Sequence, residues 1–122
     1  MKKQHLESAL QRMCVRWFRL QYPQFAKLLF AIPNGGRRSA IEAAIMQGEG
    51  VTAGVPDLFF ARPAKQWGAH GMFIEMKSGT GRLTPSQKEM GMMLTNSGYL
   101  VHPCNSFDQF MKIIEKYLGP NN

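Results

Sequence analysis

Two short apolar segments, each with an acidic residue at one end, constrain the fold of this chain more than any other feature. The first follows Gly54-Val55-Pro56-Asp57, and the second, residues 72–76, contains Glu75 and precedes Lys77. Apolar runs of this length, bounded by Gly and Pro residues, are typical of buried strands. The loop between them, residues 63–70, suits a hairpin connection. The sequence therefore predicts two adjacent strands that carry two carboxylates and a lysine.

The remaining pattern predicts four helices and two more strands. Apolar residues at three- and four-residue steps indicate amphipathic helices over residues 5–21 and 107–118. Ser39, Thr84 and Ser106 each precede a Glu or Gln three positions later, which is a capping box, so we expect the other helices over about 40–47 and 85–96 and a capped start at 107. Strands are predicted over residues 27–32 and 99–102, and Pro103 is expected to end the last strand.

The predicted order is α-β-α-β-β-α-β-α, without a linker or repeat, so we expect a single domain over residues 1–122. The simplest packing of these elements is an α/β fold in which a central mixed sheet is flanked by helices on both faces. The connection from residue 72 through the third helix to residue 102 should be parallel and right-handed.

The charge of the chain favours a polyanionic partner. Fifteen Lys and Arg residues stand against eight Asp and Glu, which gives a net charge of +7. Nucleic acid is the commonest partner of such a domain, although a basic domain can also be merely soluble. No zinc-finger, helix-turn-helix or RNA-recognition signature is present, so we expect recognition of nucleic-acid shape rather than of base sequence.

The cysteines and the hydropathy pattern indicate a cytoplasmic protein. Cys14 falls in the apolar pattern of the first helix and is far from Cys104 in sequence, so we expect a buried free thiol, as in a reducing cytosol. The apolar runs are far shorter than the roughly 20 residues of a membrane span. We therefore expect no membrane partner.

The two carboxylates are suited to binding a divalent cation. Mg²⁺ prefers oxygen ligands and usually takes only one or two protein carboxylates. Asp57 and Glu75 supply two, and the backbone carbonyl of Met76 is a plausible third ligand. Glu7 borders the apolar stripe of the first helix, so it could reach the same site directly or through a metal-bound water.

Lys77 and Gln87 are candidate partners of this site. Lys77 shares a strand face with Glu75, so it could orient or deprotonate an attacking water, or stabilise negative charge at phosphorus. We prefer orientation and charge stabilisation, because nearby carboxylates oppose the lowered pKa that a base needs. Gln87 is explained by a capping box with Thr84, yet its helix begins soon after the Lys77 strand, so it could also serve the site.

Each piece of this pattern also has a structural explanation. Asp57 could be a turn residue, and Glu75-Met76-Lys77 could be a solvated ion pair on an edge strand. The combination nevertheless resembles the PD-(D/E)xK nuclease superfamily, and more closely the virus-type replication-repair nuclease (VRR-NUC) family. The segments that carry the resemblance are Glu7, residues 33–36 (Pro-Asn-Gly-Gly), residues 54–58 (Gly-Val-Pro-Asp-Leu), residues 75–77 (Glu-Met-Lys) and residues 83–87 (Leu-Thr-Pro-Ser-Gln).

The resemblance implies a restriction-endonuclease-like core and phosphodiester hydrolysis that depends on Mg²⁺ or Mn²⁺. It implies Asp57 and Glu75 as metal ligands, Lys77 as the catalytic lysine, and Glu7 and Gln87 as supporting residues of the site. The chain is similar to the free-standing members of phages and bacteria, which resemble homodimeric resolvases of four-way (Holliday) junctions in branched DNA. Two alternatives stay open: a flap, nicking or less selective nuclease, and a basic nucleic-acid-binding module without catalysis.

Four basic residues are candidates for DNA binding. Arg37 and Arg38 precede a helix N-terminus, an arrangement that can bind phosphate, although a solvated basic turn has the same pattern. Arg82 and Lys88 flank the turn and helix after the motif strand; Arg62 and Lys65 are weaker candidates.

The surface of the expected dimer is not evident from the sequence. Trp17 or Phe18 of the first helix and Tyr117 of the last are candidates, although ordinary core packing would also explain each of them.

Overall fold

A computed structural model of the protein describes residues 3–33 and 39–120, and the elements follow the predicted order. The helices are α1 (Lys3–Gln21), α2 (Ala40–Gly48), α3 (Pro85–Asn96) and α4 (Phe107–Leu118). The strands are β1 (Leu29–Ala31), β2 (Leu58–Phe60), β3 (Met72–Met76) and β4 (Leu100–Cys104). Short 3₁₀ helices cover Pro23–Leu28 and Lys65–Trp67.

The four strands form one mixed sheet in the order β1-β2-β3-β4. The β1–β2 and β2–β3 pairs are antiparallel, whereas β3 and β4 are parallel and are connected through α3. The predicted hairpin and the predicted parallel connection are therefore both present, and the α/β class with a central mixed sheet is confirmed.

One face of the sheet forms the hydrophobic core with α1 and α4. The ring of Phe60 packs against Phe18 of α1 at 5.1 Å and against Tyr117 of α4 at 5.6 Å between centroids. Burial of each such side chain contributes roughly 1.5–3 kcal/mol to folding. Helix α3 lies on the opposite face, where a Cβ on Gly91 would stand 3.7 Å from Val101. Helices therefore flank both faces, as predicted.

Cys14 and Cys104 are both buried free thiols, as expected for Cys14. Burial raises the pKa of the Cys14 thiol to about 12, with a smaller contribution from the neighbouring Cys104. Within residues 3–33 and 39–120, no helix is long and apolar enough to cross a membrane.

Two boundary predictions are wrong, and both errors have a tertiary cause. The strand predicted from residue 27 begins only at Leu29, because the chain after Pro23 forms a 3₁₀ helix. Pro103 does not end the last strand but lies inside β4. The Leu100 amide donates to the Gly71 carbonyl, and the Cys104 carbonyl accepts from the Lys77 amide. The backbone N–H and C=O groups of alternate residues of β4 therefore point toward β3, and the nitrogen of Pro103, between them, points away from it. An edge strand loses no ladder hydrogen bond to such a proline.

The three predicted capping boxes differ in completeness. At α3 both bonds form: the Gln87 amide donates to Thr84 Oγ1 at 3.2 Å, and the Thr84 amide donates to Gln87 Oε1 at 2.9 Å. At α2 the Glu42 carboxylate instead accepts the hydroxyl of Ser39. At α4 the Gln109 side chain accepts from the Asn105 amide, one residue before the cap.

Candidate active site

Asp57 and Glu75 meet at one end of the β2–β3 hairpin. The register pairs Leu58 with Ile74, so Asp57 is the cross-strand neighbour of Glu75. Such neighbours have their Cβ atoms about 4.5–5.5 Å apart. The side chain of Asp57 is fixed by the Met76 amide, which donates to Asp57 Oδ2 at 2.7 Å. The two carboxylates that the sequence singled out therefore converge.

Glu75 is held in an environment that disfavours its charge. The residue is only 5% exposed, and its Oε1 is buried without a hydrogen-bond partner among the described residues. Burial first, and the neighbouring carboxyl of Asp57 second, raise the pKa of Glu75 to about 9, while the charge of Lys77 acts in the opposite direction. Without a bound cation, the fold therefore favours the protonated form of Glu75.

Lys77 lies beside this pair, as its spacing from Glu75 predicts. The residue is 7% exposed, although a lysine is almost never buried unless it is paired. Its amide donates to the carbonyl of Cys104 at 2.9 Å, so the backbone of the lysine is anchored to β4 just past the end of β3. The side chain lines the same cleft as the two carboxylates, and its charge acts on Glu75.

Glu7 reaches the site from α1. Its Oε2 accepts a hydrogen bond of 3.3 Å from the Ser78 amide, directly after Lys77, and its charge also contributes to the raised pKa of Glu75. The helix and the motif strand, 71 residues apart in sequence, are thus joined at the site. This placement agrees with the expectation that Glu7 could reach it.

Gln87 serves the capping box and lines the site as well. Its side chain borders a cleft of about 630 Å³ together with Glu7, Asp57, Glu75 and Lys77. A second cavity of about 450 Å³, beneath α3, shares Glu75 and Gln87. Because Gln87 Oε1 already accepts from Thr84, its amide nitrogen is the group left to donate to a substrate. The two explanations of Gln87 are therefore compatible.

Gly54 makes this arrangement possible, and the sequence analysis noted it only as part of the motif. Its φ is +90°, and a Cβ there would stand 2.3 Å from the Ser86 carbonyl oxygen and 3.2 Å from the Gln87 amide nitrogen. Only glycine permits this conformation together with so close an approach. Its contact seats the first turn of α3 against the segment that leads to Asp57.

Four residues of α1 near Glu7 also line the cleft, although their sequence positions were not predicted to belong to the site. They are His5, Ser8, Gln11 and Arg12. Gln11 lies one helical turn beyond Glu7, so helical periodicity counted from Glu7 would have found it, whereas Arg12 lies one turn beyond Ser8. Arg12 adds a positive charge on the α1 side of the cleft.

The basic residues proposed for DNA binding do not all lie at the candidate site. Lys88 borders the cavity beneath α3, and Arg82 is exposed in the turn before α3. Arg62 lies over the Phe25 ring at 4.2 Å, and Lys65 lies in the β2–β3 connection, at the opposite end of β3 from Glu75. Arg37 and Arg38, with most of the Pro-Asn-Gly-Gly turn, lie outside the described residues.

The donor set fits a hard divalent cation that keeps most of its waters. Among the described side chains, no group of three or more His, Cys, Asp or Glu could hold a metal ion. Two converging carboxylates satisfy the usual protein contribution to a Mg²⁺ site. The Met76 amide is turned toward Asp57, and the N–H and C=O of one strand residue point the same way, so its carbonyl faces that side too. The buried, unpaired oxygen of Glu75 is the atom that a cation would satisfy.

A mixed sheet that carries Pro-Asp and Glu-x-Lys at adjacent strand ends is the arrangement of PD-(D/E)xK nucleases. The sequence profile of the VRR-NUC domain matches residues 2–108, and the chain belongs to this family of nucleases. A solved structure described as a VRR_NUC domain protein is similar, with a TM-score of 0.79 and 28% identity, over 93% of this chain and 88% of that chain. No curated protein matches the chain.

Proposed function

We propose that this nuclease is a metal-dependent, structure-specific DNA endonuclease, and that it acts as a homodimeric resolvase of four-way junctions in the cytoplasm of a bacterial or phage-infected cell. The observation that carries the hydrolytic part is the convergence of Asp57 and Glu75, with one oxygen of Glu75 buried and unpaired. A cation shared between two neighbouring carboxylates stabilises the charged form of both, because it offsets the repulsion between them.

Asp57 and Glu75, with the carbonyl of Met76, would hold Mg²⁺ or Mn²⁺. When bound, such a cation polarises a phosphate oxygen and supplies an activated water. Asp57 is held in place for this task by the Met76 amide, which donates to one of its two carboxylate oxygens. Glu7 contributes from α1, directly or through a water, and its bond to the Ser78 amide fixes the backbone next to Lys77.

Lys77 is the group that we assign to the reacting phosphate. A buried ammonium beside the scissile bond stabilises negative charge that develops at phosphorus, and it can orient the attacking water. We assign these two roles to Lys77 in preference to that of a general base. Gln87 would donate from its amide nitrogen to the same strand of DNA.

The cations around the cleft are suited to the DNA backbone rather than to its bases. Arg12 lines the cleft on the α1 side, Lys88 lines the adjoining cavity beneath α3, and Arg82 is exposed just before α3, while Arg37 and Arg38 would add phosphate contacts. Contacts of this kind position a duplex without reading its sequence. Resolution of a four-way junction needs two matched cuts, and a two-fold pair of subunits supplies two identical sites.

The test is cleavage of labelled four-way junction, flap, splayed and linear duplex DNA with Mg²⁺ or Mn²⁺. We expect preferential paired cuts in the junction, and a loss of at least ~100-fold in rate for Asp57→Asn and for Lys77→Ala, because the first removes a proposed ligand of the cation and the second removes positive charge at the reacting phosphate. Asp108→Asn and Lys65→Ala are matched controls, since both residues are exposed and neither lines the cleft. They should cut like the parent.

Other outcomes separate the alternatives. Equal cleavage of junction and linear duplex would indicate a less selective nuclease instead of a resolvase. A preference for flaps or nicked duplex would indicate a flap or nicking enzyme. No cleavage together with no calorimetric binding of Mg²⁺ or Mn²⁺ would leave a basic nucleic-acid-binding module. If Lys77→Ala cut as fast as Lys65→Ala, our assignment of the lysine would be wrong.

A further inference from the structure

The face of the sheet opposite the core carries a row of aromatic side chains that crosses three strands. Phe30 of β1 pairs in register with Phe59 of β2, which pairs with Phe73 of β3. Neighbouring ring centroids lie 5.7 and 4.4 Å apart, and Tyr99, just before β4, packs against Phe59 at 5.9 Å and Phe73 at 5.4 Å. We call these four residues the aromatic row.

The aromatic row is only partly covered. Helix α3 lies on this side of the sheet and packs mainly on β4. Phe30 is 42% exposed, and the other three residues are half-buried, although Phe59 and Phe73 lie on the two central strands. On α3, Met92 is 68% exposed and lines a cavity with Val101, the cross-strand neighbour of Phe73. Contiguous exposed apolar surface of this kind marks an interaction site.

The charge of this face identifies the kind of partner. The strand residues that share it are Phe30, Phe59, Phe73, Glu75, Val101 and Pro103, and none is a lysine or arginine although the chain has fifteen. DNA is therefore a poor occupant, because its affinity comes from phosphate contacts with cations. A face without lysine or arginine can instead meet its own copy with less of the repulsion expected between two molecules of net charge +7. A two-fold interface needs such a self-complementary patch.

The residues suggested by the sequence for a dimer contact are used elsewhere. Phe18 is fully buried and Tyr117 is 2% exposed, and both pack on Phe60 in the core. Trp17 is half-buried and packs edge-on against Tyr22, Phe107 and Phe110. Core packing thus accounts for all three, so a dimer requires another surface.

We propose that the aromatic row is the centre of the dimer interface, where a second copy of this chain packs sheet against sheet. The row supplies the large rigid side chains typical of an interface core, and Met92 extends it toward the roughly 800 Å² per partner that stable dimers bury. The proposal rests on the homodimer of the proposed function, but not on its chemistry. Phe73 lies two residues before Glu75 on the same strand face, so the interface would lie next to both active sites.

The experiment is sedimentation equilibrium without DNA or metal, over a range of protein concentrations. We expect the parent chain to sediment at twice 13.8 kDa and Phe30→Glu to raise the dimer dissociation constant at least 10-fold. Trp67→Glu is the matched control, because Trp67 is aromatic, equally exposed at 42% and packs beside Lys116 of α4, away from the row. This control should remain a dimer. Circular dichroism checks folding, and Phe30→Ser replaces Phe30→Glu if the latter unfolds.

Three results would overturn the proposal, and they differ in what else they affect. A monomeric parent at ~100 µM, far above the micromolar constants of specific association, would remove the dimer as well as its surface. A fully dimeric Phe30→Glu would reject the surface and leave the dimer. Equal dissociation by Phe30→Glu and Trp67→Glu would also reject the surface. The nuclease chemistry stays tested separately by the Asp57 and Lys77 variants.

Discussion

Glu75, a residue of the candidate active site, lowers the stability of the fold as pH rises. In the fold without a cation, its pKa stands at about 9 rather than 4.5, because burial and Asp57 disfavour the charged form. The folded state therefore binds a proton more tightly than the unfolded chain does. Stability from this residue is fully present below about pH 4.5 and is lost as pH rises toward about 9.

This linkage gives a prediction at the residue scale. Without metal, the free energy of unfolding of the parent should fall as pH rises between about 5 and 8, with a slope of at most about 1.4 kcal/mol per pH unit from this group. Glu75→Gln, which is neutral at every pH, should flatten that part of the profile. Urea unfolding at several pH values in a chelator measures it.

Two further measurements make the assignment to Glu75 specific. Glu89→Gln is a suitable control, because Glu89 is exposed on α3, and its profile should follow the parent. Saturating Mg²⁺ or Mn²⁺ should flatten the profile of the parent, since a cation favours the charged carboxylate. A Glu75→Gln profile as steep as that of the parent would show that another group titrates.

At the scale of elements, the active site depends on the contact between the Gly54 segment and the first turn of α3. That contact brings Gln87 to the cleft, and Glu7 joins α1 to the end of β3 in a similar way. The candidate site is therefore formed by residues of α1, the β2–β3 hairpin and α3, rather than by a single loop.

Gly54→Ala tests this dependence. Gly50 is the matched control, because it also has a positive φ, +105° against +90° for Gly54, but has nothing within 4 Å of its would-be Cβ. Both alanines should lose roughly 1 kcal/mol or more of stability from the strained backbone. Only Gly54→Ala should in addition displace Ser86 and Gln87 and lower the cleavage rate, by ~10-fold or more as misplacement does.

The readout that separates the two glycines is the rate of single-turnover cleavage at saturating enzyme, measured well below the melting temperature of either variant. Junction affinity should change little in both, because neither substitution removes a proposed phosphate-binding cation. Equal rates for Gly54→Ala and Gly50→Ala would mean that the approach to α3 does not position the site.

At the scale of the whole molecule, the two sides of the sheet have different tasks. The core face binds α1 and α4, whereas the opposite face carries the carboxylates at one end and the aromatic row beside them. If the row joins two copies, each dimer has two active sites in a fixed relation. The number of cuts in a junction then reports on the assembly.

Mixed dimers give the corresponding prediction. Parent subunits exchanged with an excess of Asp57→Asn subunits should nick a junction on one strand instead of resolving it by two cuts, because each dimer then holds one intact site. Denaturing and native gels distinguish nicked from resolved product. Phe30→Glu mixed with Asp57→Asn is the control, since impaired pairing should leave few mixed dimers. Paired cuts that persist in proportion to the parent subunits would argue against a fixed dimer.

The sequence could predict those features that neighbouring residues specify. Residues 72–76 form β3 as expected, and Thr84, Pro85 and Gln87 begin α3 where predicted, because strand patterns and capping bonds act over a few positions. The candidate site residues Asp57, Glu75 and Lys77 were predicted from local patterns of the same kind, and their roles stay a prediction. Pro103 was misjudged, because whether a strand can hold a proline depends on its place at the edge of the sheet.

The sequence by itself determined the order of elements, the mixed sheet and the residue types of a nuclease site, since hydrophobic period, turn residues and strand ends are local properties. Only the tertiary structure decided that Asp57 stands opposite Glu75, that Gly54 touches Ser86, and that the aromatic row lacks a full cover. Register, close backbone approach and exposure all depend on residues far apart in the chain. They exist only once the helices have packed on the sheet.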